Sequence, residues 1–138
     1  MFFLAKKPKI LIADDEKIIL KLVETRLKAN RFDVVTAQDG VEALEKIKST
    51  LPDLIILDLA MPLKNGYQVC HDLRGNPVYA AYKKIPIIIL SAWVRDKVGE
   101  EKALADAYIS KPFEPEQLLS EIRYLLENQG HIEKPAVS

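Results

Sequence analysis

Two kinds of hydrophobic pattern alternate along this chain. Short apolar runs with few polar interruptions are followed by longer stretches in which apolar residues recur every three or four positions. The first pattern is typical of strands buried on both faces, and the second is typical of helices with one buried face. The predicted strands cover residues 10–13, 32–36, 54–57, 85–90 and 107–110.

A helix is predicted after each of these strands. Four of the five helices show an apolar stripe, and the remaining one is a short helix at 95–104. The stripes contain Ile18, Ile19, Leu22, Val23 and Leu27 in the first helix, Val41, Ala43, Leu44 and Ile47 in the second, Val69, Cys70 and Leu73 in the third, and Leu118, Leu119, Ile122, Leu125 and Leu126 in the last. Residues 78–84 fit neither pattern and are predicted to be irregular.

Strands that alternate regularly with helices predict an α/β fold built on a parallel sheet. The run at 32–36 is the least apolar of the five, which suits an edge strand. We expect a single domain over residues 9–128. An N-terminal tail is expected at 1–8, and residues 129–138 are expected to be a C-terminal tail or the start of a linker.

Composition narrows the possible classes of function. Lysine plus arginine and aspartate plus glutamate number 20 each, so no basic excess suggests direct nucleic acid binding by this chain. No segment is long and apolar enough to insert into a membrane. Cys70 is the only cysteine, which excludes an internal disulfide and a thiolate metal cluster and makes a reducing cytoplasm the simplest compartment.

Polar residues follow four of the predicted strands at the point where each strand ends. Asp14 and Asp15 follow the first, Asp58 the third, Ser91 the fourth and Lys111 the fifth. In an open parallel sheet these ends share one edge, where binding sites lie. We therefore expect three carboxylates, a hydroxyl and an ammonium in one crevice.

Three carboxylates in one crevice call for a cation, because like charges about 4 Å apart repel by roughly 4 kcal/mol near a protein surface. Ligands that are all oxygens favour Mg²⁺ or Ca²⁺ over zinc, and a site with few protein ligands favours Mg²⁺. Lys111 and Ser91 could hold phosphoryl oxygens, which phosphoryl transfer needs. Taken singly, an aspartate at a strand end is more often a helix cap and a lysine before proline a surface residue. Four strand ends with complementary chemistry favour the functional interpretation.

Four motifs, in order, resemble the receiver domain of two-component response regulators. They are Asp14-Asp15-Glu16, the run from Leu57 to Gly66, Leu90-Ser91-Ala92 and Lys111-Pro112-Phe113. The resemblance covers about residues 8–128. It implies a flavodoxin-like fold, a (βα)5 doubly wound parallel sheet of five strands in the order 2-1-3-4-5 with helices on both faces.

The resemblance also implies roles for the residues at the acidic end of the site. Asp58 is implied to be the phosphoacceptor. Asp14, Asp15 and Asp58 are implied to bind Mg²⁺, Asp14 directly or through water, together with the backbone carbonyl of Ala60.

Four more roles follow from the resemblance. Ser91 and Lys111 are implied to hold the phosphoryl oxygens once Asp58 is modified. Tyr108 falls where such domains have a switching aromatic side chain, and the Lys111–Pro112 peptide bond is expected to be cis.

Partners follow from the same resemblance. A sensor histidine kinase or a phosphotransfer protein is the expected phosphoryl donor. A downstream effector protein or an output domain is expected to recognise a surface formed by the helix at 95–104, the strand at 107–110 and the last helix. Such a domain is not a conventional enzyme, although it catalyses its own phosphorylation and dephosphorylation, and its expected location is the cytoplasm.

Departures from the family pattern lie on the expected recognition surface. The segment between Ser91 and Lys111 is shorter than usual, which alters the helix at 95–104. Trp93 either shields the site or folds over that helix. His71 is expected to be solvated and Cys70 to be a small core residue.

Three other classes of protein with similar folds require residues that this chain lacks. A haloacid-dehalogenase-type phosphatase needs a second aspartate at position 60, where this chain has Ala60, and a dinucleotide-binding protein needs a glycine-rich loop in place of Asp14-Asp15-Glu16. A flavodoxin needs a loop rich in serine and threonine after the first strand, where this chain has Asp14-Asp15-Glu16. A pseudo-receiver that is never phosphorylated, or a receiver fragment of a longer regulator, remains an alternative.

Overall fold

The computed structural model describes residues 6–92 and 104–128 of the chain. The strands are β1 (Lys9–Ala13), β2 (Asp33–Ala37), β3 (Leu54–Asp58), β4 (Ile87–Ser91) and β5 (Ala107–Ser110). The helices are α1 (Lys17–Ala29), α2 (Gly40–Thr50), α3 (Gly66–Gly75), a 3-10 helix (Pro77–Tyr82) and α4 (Pro115–Asn128).

The five strands form one parallel sheet in the order β2-β1-β3-β4-β5. This confirms the α/β prediction, the strand order and the edge position of the second strand. The chain moves to one side of β1 to make β2 and then crosses to the other side to make β3. In such sheets this reversal opens a crevice at the carboxyl ends of β1 and β3.

Alternate strand residues enter two separate cores, one on each face of the sheet. In β1, Ile10 and Ile12 pack toward α1 and α4, whereas Leu11 and Ala13 pack toward α2 and α3. All residues of β3 are buried. The strands are apolar throughout because both faces are covered, and each large aliphatic side chain buried in this way contributes about 1.5–3 kcal/mol.

Helix α1 buries a narrower stripe than the sequence pattern predicts. Leu20, Val23 and Leu27 are its buried residues, whereas Ile18 and Leu22 are 76% and 60% exposed. The prediction of one buried stripe was therefore wrong for Ile18 and Leu22. A helix that lies on a sheet covers only the arc facing it, and these two side chains lie outside that arc.

Residues 78–84 are not irregular throughout, since a 3-10 helix covers Pro77–Tyr82. The Asn76 side chain accepts a hydrogen bond from the backbone N–H of Val78 at 3.0 Å, and proline in the first turn has no N–H that needs a partner. The predicted strands at 32–36 and 85–90 are shifted to Asp33–Ala37 and Ile87–Ser91.

Arg74, near the end of α3, ties three segments together. Its guanidinium donates hydrogen bonds to the carbonyls of Ile85 and Leu104, both at 3.0 Å, and forms an ion pair with Asp106 at 3.0 Å. Asp106 also accepts the backbone N–H of Ile87 at 2.8 Å. The residues that lead into β4 and β5 are therefore held by one side chain.

Some predictions fall largely or wholly on other parts of the chain. The helix at 95–104 lies outside the described residues except for Leu104. So does Trp93, as do the C-terminal tail and most of the N-terminal tail. Among the helices of the described residues, none has the length and apolar character needed to cross a membrane.

Candidate functional site

The carboxyl ends of β1, β3 and β4 each present a buried polar residue at the predicted edge. Asp14 is 0% exposed, Asp58 5% and Ser91 2%. Lys111 follows β5 directly and is partly buried. Since the core elsewhere is apolar, this group of polar side chains marks the site.

Backbone hydrogen bonds between strands fix where these residues lie. The N–H of Asp14 donates to the carbonyl of Ala37 at 3.0 Å, and the N–H of Lys111 donates to the carbonyl of Ser91 at 3.0 Å. Asp58 pairs with Leu90, which places Ser91 one residue beyond it on the neighbouring strand. Asp58 and Ser91 thus lie at the last position of their strands, and Asp14 and Lys111 directly follow theirs, where backbone hydrogen bonds to neighbouring strands hold them.

A glycine brings the start of α3 close to Asp58. The N–H of Gly66 donates to the carbonyl of Leu59 at 2.9 Å, and a Cβ at Gly66 would lie 2.7 Å from the carbonyl oxygen of Asp58. Asn65 caps α3 through a reciprocal capping box with Gln68. The loop after Asp58 is therefore closed by a contact that only glycine permits.

Asp14, Asp15 and Asp58 come together as the sequence predicts. Each offers a carboxylate oxygen, and the three atoms lie within 4.8 Å of one another. Asp15 is exposed, so the cluster faces solvent on one side. Three oxygen donors open to water fit Mg²⁺, which keeps several of its own waters.

The Lys111 ammonium lies among these acids. Its Nζ is 2.9 Å from Asp14 Oδ2 and 3.1 Å from Asp58 Oδ1. A third contact, at 3.1 Å, joins it to Oε1 of Glu16. Even with Lys111 counted, the site holds four carboxylates against one ammonium, and the surplus negative charge again favours a bound cation.

The electrostatics of the site reflect burial and crowding. Burial, with the neighbouring Asp14 charge, raises the pKa of Asp58 from 3.8 to about 6. Burial also raises the pKa of Asp14. Burial alone would lower the pKa of Lys111, yet hydrogen bonds to Asp14 and Asp58 outweigh it and raise that pKa.

Three predicted residues remain, namely Pro112, Tyr108 and Ala60. The Lys111–Pro112 peptide bond is cis. Tyr108 pairs with Ile89 in the sheet and is partly buried against the core of α2 and α3. Ala60 is exposed two residues beyond Asp58, and a metal contact from its carbonyl stays a prediction.

Two residues outside the site also match their predictions. Cys70 is fully buried, and burial raises the pKa of its thiol to about 12, so it is a core residue and not a reactive thiolate. His71 is exposed, as expected for a solvated side chain.

Glu16 lies in the acidic triplet, but the sequence predicts no role for its side chain. Contact with Lys111, 95 residues away, depends on how β1 and β5 are arranged in the sheet. The one available signal was the third consecutive acidic residue at the end of β1.

A groove of about 440 Å³ runs between α1 and α4 and opens beside Lys111. We call it the α1–α4 groove. Its lining is mostly apolar and includes Ile19, Leu22, Phe113 and Leu118. An apolar groove therefore adjoins the acidic site.

Comparison with known sequences gives a consistent result. Residues 10–123 match the response regulator receiver domain family. The chain is 42% identical to the probable transcriptional regulator ycf27 of Guillardia theta, over 89% of this chain and 47% of that protein. It is 40% identical to protein PilG of Pseudomonas aeruginosa, over 83% of this chain and 84% of PilG. The chain spans about half the length of the ycf27 regulators that it matches.

Solved structures show the same fold. The chemotaxis response regulator CheY4 of Vibrio cholerae superposes with a TM-score of 0.78 at 33% identity, covering 86% of this chain and 98% of CheY4. The response regulator TrrA of Thermotoga maritima, solved in complex with Mg²⁺-BeF, superposes with a TM-score of 0.76 at 32% identity, covering 86% of this chain and 98% of TrrA.

Proposed function

This chain belongs to the response regulator receiver domain family, and we propose that it is a signalling module switched by phosphorylation of Asp58. The phosphoryl donor in this proposal is a phosphohistidine on a sensor histidine kinase or a phosphotransfer protein. The observation that carries the proposal is the group formed by Asp58, two further acids and Lys111 at one edge of the sheet. The chain acts through protein contacts and is not a conventional enzyme.

Asp58 is the nucleophile in this proposal. Its carboxylate oxygen forms a bond to phosphorus, the bond between phosphorus and the donor imidazole breaks, and the imidazole nitrogen leaves with its electron pair. Phosphoryl transfer requires an in-line approach and compensation for the charge on the phosphoryl oxygens. The sheet holds Asp58 in place, which satisfies the demand for positioning.

Mg²⁺ would be held by Asp14, Asp15 and Asp58, with the carbonyl of Ala60 as a further ligand. When bound, the ion supplies positive charge against the phosphoryl oxygens. Lys111 supplies a second positive charge to one of these oxygens, and the Ser91 hydroxyl donates a hydrogen bond to another. The complex of TrrA with Mg²⁺-BeF supports a magnesium-dependent site in a relative of the same fold.

The donor must reach Asp58 from the solvent side of the site. Leu22 on α1 is an exposed apolar residue that lines the α1–α4 groove, and Ile18 on the same helix is exposed as well. Lys111 also lines this groove. We propose that the donor protein docks on this face, since exposed apolar side chains beside a reaction site favour protein association. A cytoplasmic location completes the proposal, because the donor phosphohistidine is made from ATP.

The output is proposed to run through Tyr108 and β5. A phosphoryl group held by Ser91 would draw that hydroxyl toward Asp58 and leave room for the Tyr108 ring to turn inward. This would change the surface of residues 95–104, β5 and α4 that an effector or output domain recognises. PilG is a relative of similar length and ycf27 a relative twice as long, so either a separate effector or an attached domain is compatible.

Incubation with acetyl phosphate and MgCl₂ tests the proposed function. Intact-mass spectrometry should show the mass of one added phosphoryl group in the wild type. The adduct should be absent in Asp58→Asn and in the wild type treated with EDTA. If neither acetyl phosphate nor a phosphorylated histidine kinase gives an adduct, the chain is an interaction module of the pseudo-receiver type and the proposal fails.

A further inference from the structure

Every N–H of the Lys111 ammonium already has a partner. An ammonium carries three N–H donors. Its Nζ lies 2.9 Å from Asp14 Oδ2, 3.1 Å from Asp58 Oδ1 and 3.1 Å from Glu16 Oε1. A phosphoryl oxygen that arrives at Asp58 must therefore displace one of three carboxylates before Lys111 can hold it.

The three partners differ greatly in their access to water. The side chains of Asp14 and Asp58 are 0% and 7% exposed, whereas that of Glu16 is 60% exposed. A buried carboxylate that loses its contact with an ammonium gains little hydration in return, so this loss is strongly disfavoured. An exposed carboxylate recovers its hydration, so its ion pair is weak. Glu16 is thus the partner that Lys111 gives up most readily.

The backbone of Glu16 is fixed while its side chain is free to leave. Its N–H donates to Asp14 Oδ1 at 2.9 Å, and its carbonyl accepts the N–H of Leu20 at 3.0 Å as α1 begins. Glu16 stands at the N-cap of α1, but its side chain makes no capping hydrogen bond. Residues chosen for capping are Ser, Thr, Asp and Asn. The Glu16 carboxylate can therefore swing into solvent without loosening the helix.

We infer that Glu16 is a positioning residue, the exchangeable partner that holds Lys111 in the unphosphorylated protein and yields it to the phosphoryl group. Glu16 and the phosphoryl donor then compete for one N–H of Lys111. The inference rests on the proposed function, because it assigns Lys111 to a phosphoryl oxygen. It adds a residue outside the metal ligands that sets how easily the site accepts its substrate.

The Glu16→Gln variant tests this competition. With acetyl phosphate and saturating Mg²⁺, the half-saturating donor concentration should fall about two- to five-fold, the strength of an exposed ion pair. The maximal rate should stay the same, since Glu16 acts only before Lys111 contacts the donor. If the donor does not saturate, the second-order rate constant should rise by the same factor. Glu16→Ala, which removes the same contact, should behave alike.

Glu24→Gln is the matched control. It removes the same charge from α1 and breaks a 3.0 Å ion pair with Lys28, far along the helix from Lys111. It should leave phosphorylation unchanged, and the urea midpoints of both variants should match the wild type. An equal effect in the two variants would show that only overall charge matters and would overturn the inference.

A double-mutant cycle decides whether Glu16 acts through Lys111. In the Lys111→Ala background, Glu16→Gln should no longer change the donor dependence. A Glu16→Gln effect that persists there would mean direct repulsion of the donor and would contradict the inference. The proposed function itself fails if the wild type takes no phosphoryl group on Asp58, a result that none of these comparisons between variants gives, so the two failures are distinguishable.

Discussion

Asp58 is held in a place that does not suit an ionised carboxylate. It is 5% exposed, it lies beside two other acids, and burial with the Asp14 charge raises its pKa to about 6. Lys111 compensates part of this charge at 3.1 Å. In the proposed function, the crowding that destabilises the metal-free protein also favours a bound cation and a phosphoryl group, so function and stability oppose each other at this residue.

The Asp58→Asn variant should show that opposition as a pH-dependent gain in stability. The folded pKa of about 6 lies above the ordinary 3.8, so protonation of Asp58 favours the folded state at low pH, and this contribution is lost as pH rises through about 6. Asparagine cannot ionise. In EDTA the free energy of unfolding of the variant should therefore exceed that of the wild type by about 1–2 kcal/mol at pH 7.5 and by little at pH 4. The lost contact to Lys111 offsets part of this gain.

Urea unfolding of both proteins across this pH range measures the difference. The exposed Asp33→Asn variant is the control, and its stability should track the wild type at all pH values. If the difference in unfolding free energy between Asp58→Asn and the wild type is constant with pH, or widens toward pH 4, burial does not raise the pKa of Asp58 as described.

At the scale of elements, α3 must approach the end of β3 for Asp58 to be held where it is. Gly66→Ala would place a Cβ 2.7 Å from the Asp58 carbonyl oxygen and 3.0 Å from Leu59 Cα, both of them backbone atoms. The loop would have to shift, so we expect a loss of about 1–3 kcal/mol in unfolding free energy. The rate of phosphorylation by acetyl phosphate should fall as well, because Asp58 moves.

Gly75 offers a matched control in the same helix. A Cβ there would meet nothing within 4 Å. Gly75→Ala should leave phosphorylation unchanged and should stabilise the protein slightly through helix propensity. If Gly66→Ala were as active and as stable as Gly75→Ala, the close approach of α3 would not matter to the site.

Arg74 has a comparable role at the opposite end of the sheet, where it joins α3 to the segments that lead into β4 and β5. Arg74→Ala would leave the carbonyls of Ile85 and Leu104 and the carboxylate of Asp106 without this partner. Losing several partly buried charged hydrogen bonds should lower the unfolding free energy by about 2–4 kcal/mol. Denaturant unfolding measures it. Arg123→Ala, which loses one exposed bond to Asn30, should change stability little, and equal losses in the two variants would refute the role of Arg74.

Elements were predictable wherever a local pattern carried the whole signal. The run at 54–57 predicts a strand because every residue in it is apolar, as expected when both faces of β3 are buried. Ile18 and Leu22 were assigned wrongly because a sequence stripe gives the apolar arc of a helix but not which part of it meets the sheet. The 3-10 helix was missed because six residues are too few for a periodic pattern.

The residues of the site that lie at strand ends could be predicted from the sequence, whereas contacts made by side chains could not. Asp14, Asp58 and Lys111 could be brought together from the sequence, since parallel strands share one edge for their carboxyl ends. The contact of Glu16 with Lys111 could not, because it depends on the reach of a side chain and not on a strand end. The exposed fraction of each carboxylate that contacts Lys111 is likewise a property of the folded molecule. This fraction decides which carboxylate Lys111 gives up most readily.

At the scale of the whole molecule, metal binding and folding should be coupled. An ion that binds only the folded state stabilises it by an amount that grows with the logarithm of its concentration. Mg²⁺ should therefore raise the melting temperature of the wild type progressively above its dissociation constant, and less so in Asp58→Asn. Thermal unfolding in MgCl₂, with a KCl series of equal ionic strength as control, measures this. Equal shifts in the two salts would mean that the acidic cluster binds no metal.

The central claim is that Asp58, and no other residue, carries the phosphoryl group. After incubation with acetyl phosphate and Mg²⁺, borohydride reduces an acyl phosphate to an alcohol, which converts the modified aspartate into homoserine. Tandem mass spectrometry of the resulting peptides should find homoserine in place of Asp58 alone. Homoserine in place of Asp14 or Asp15, or a phosphoryl group that survives borohydride on a serine or histidine, would contradict the account.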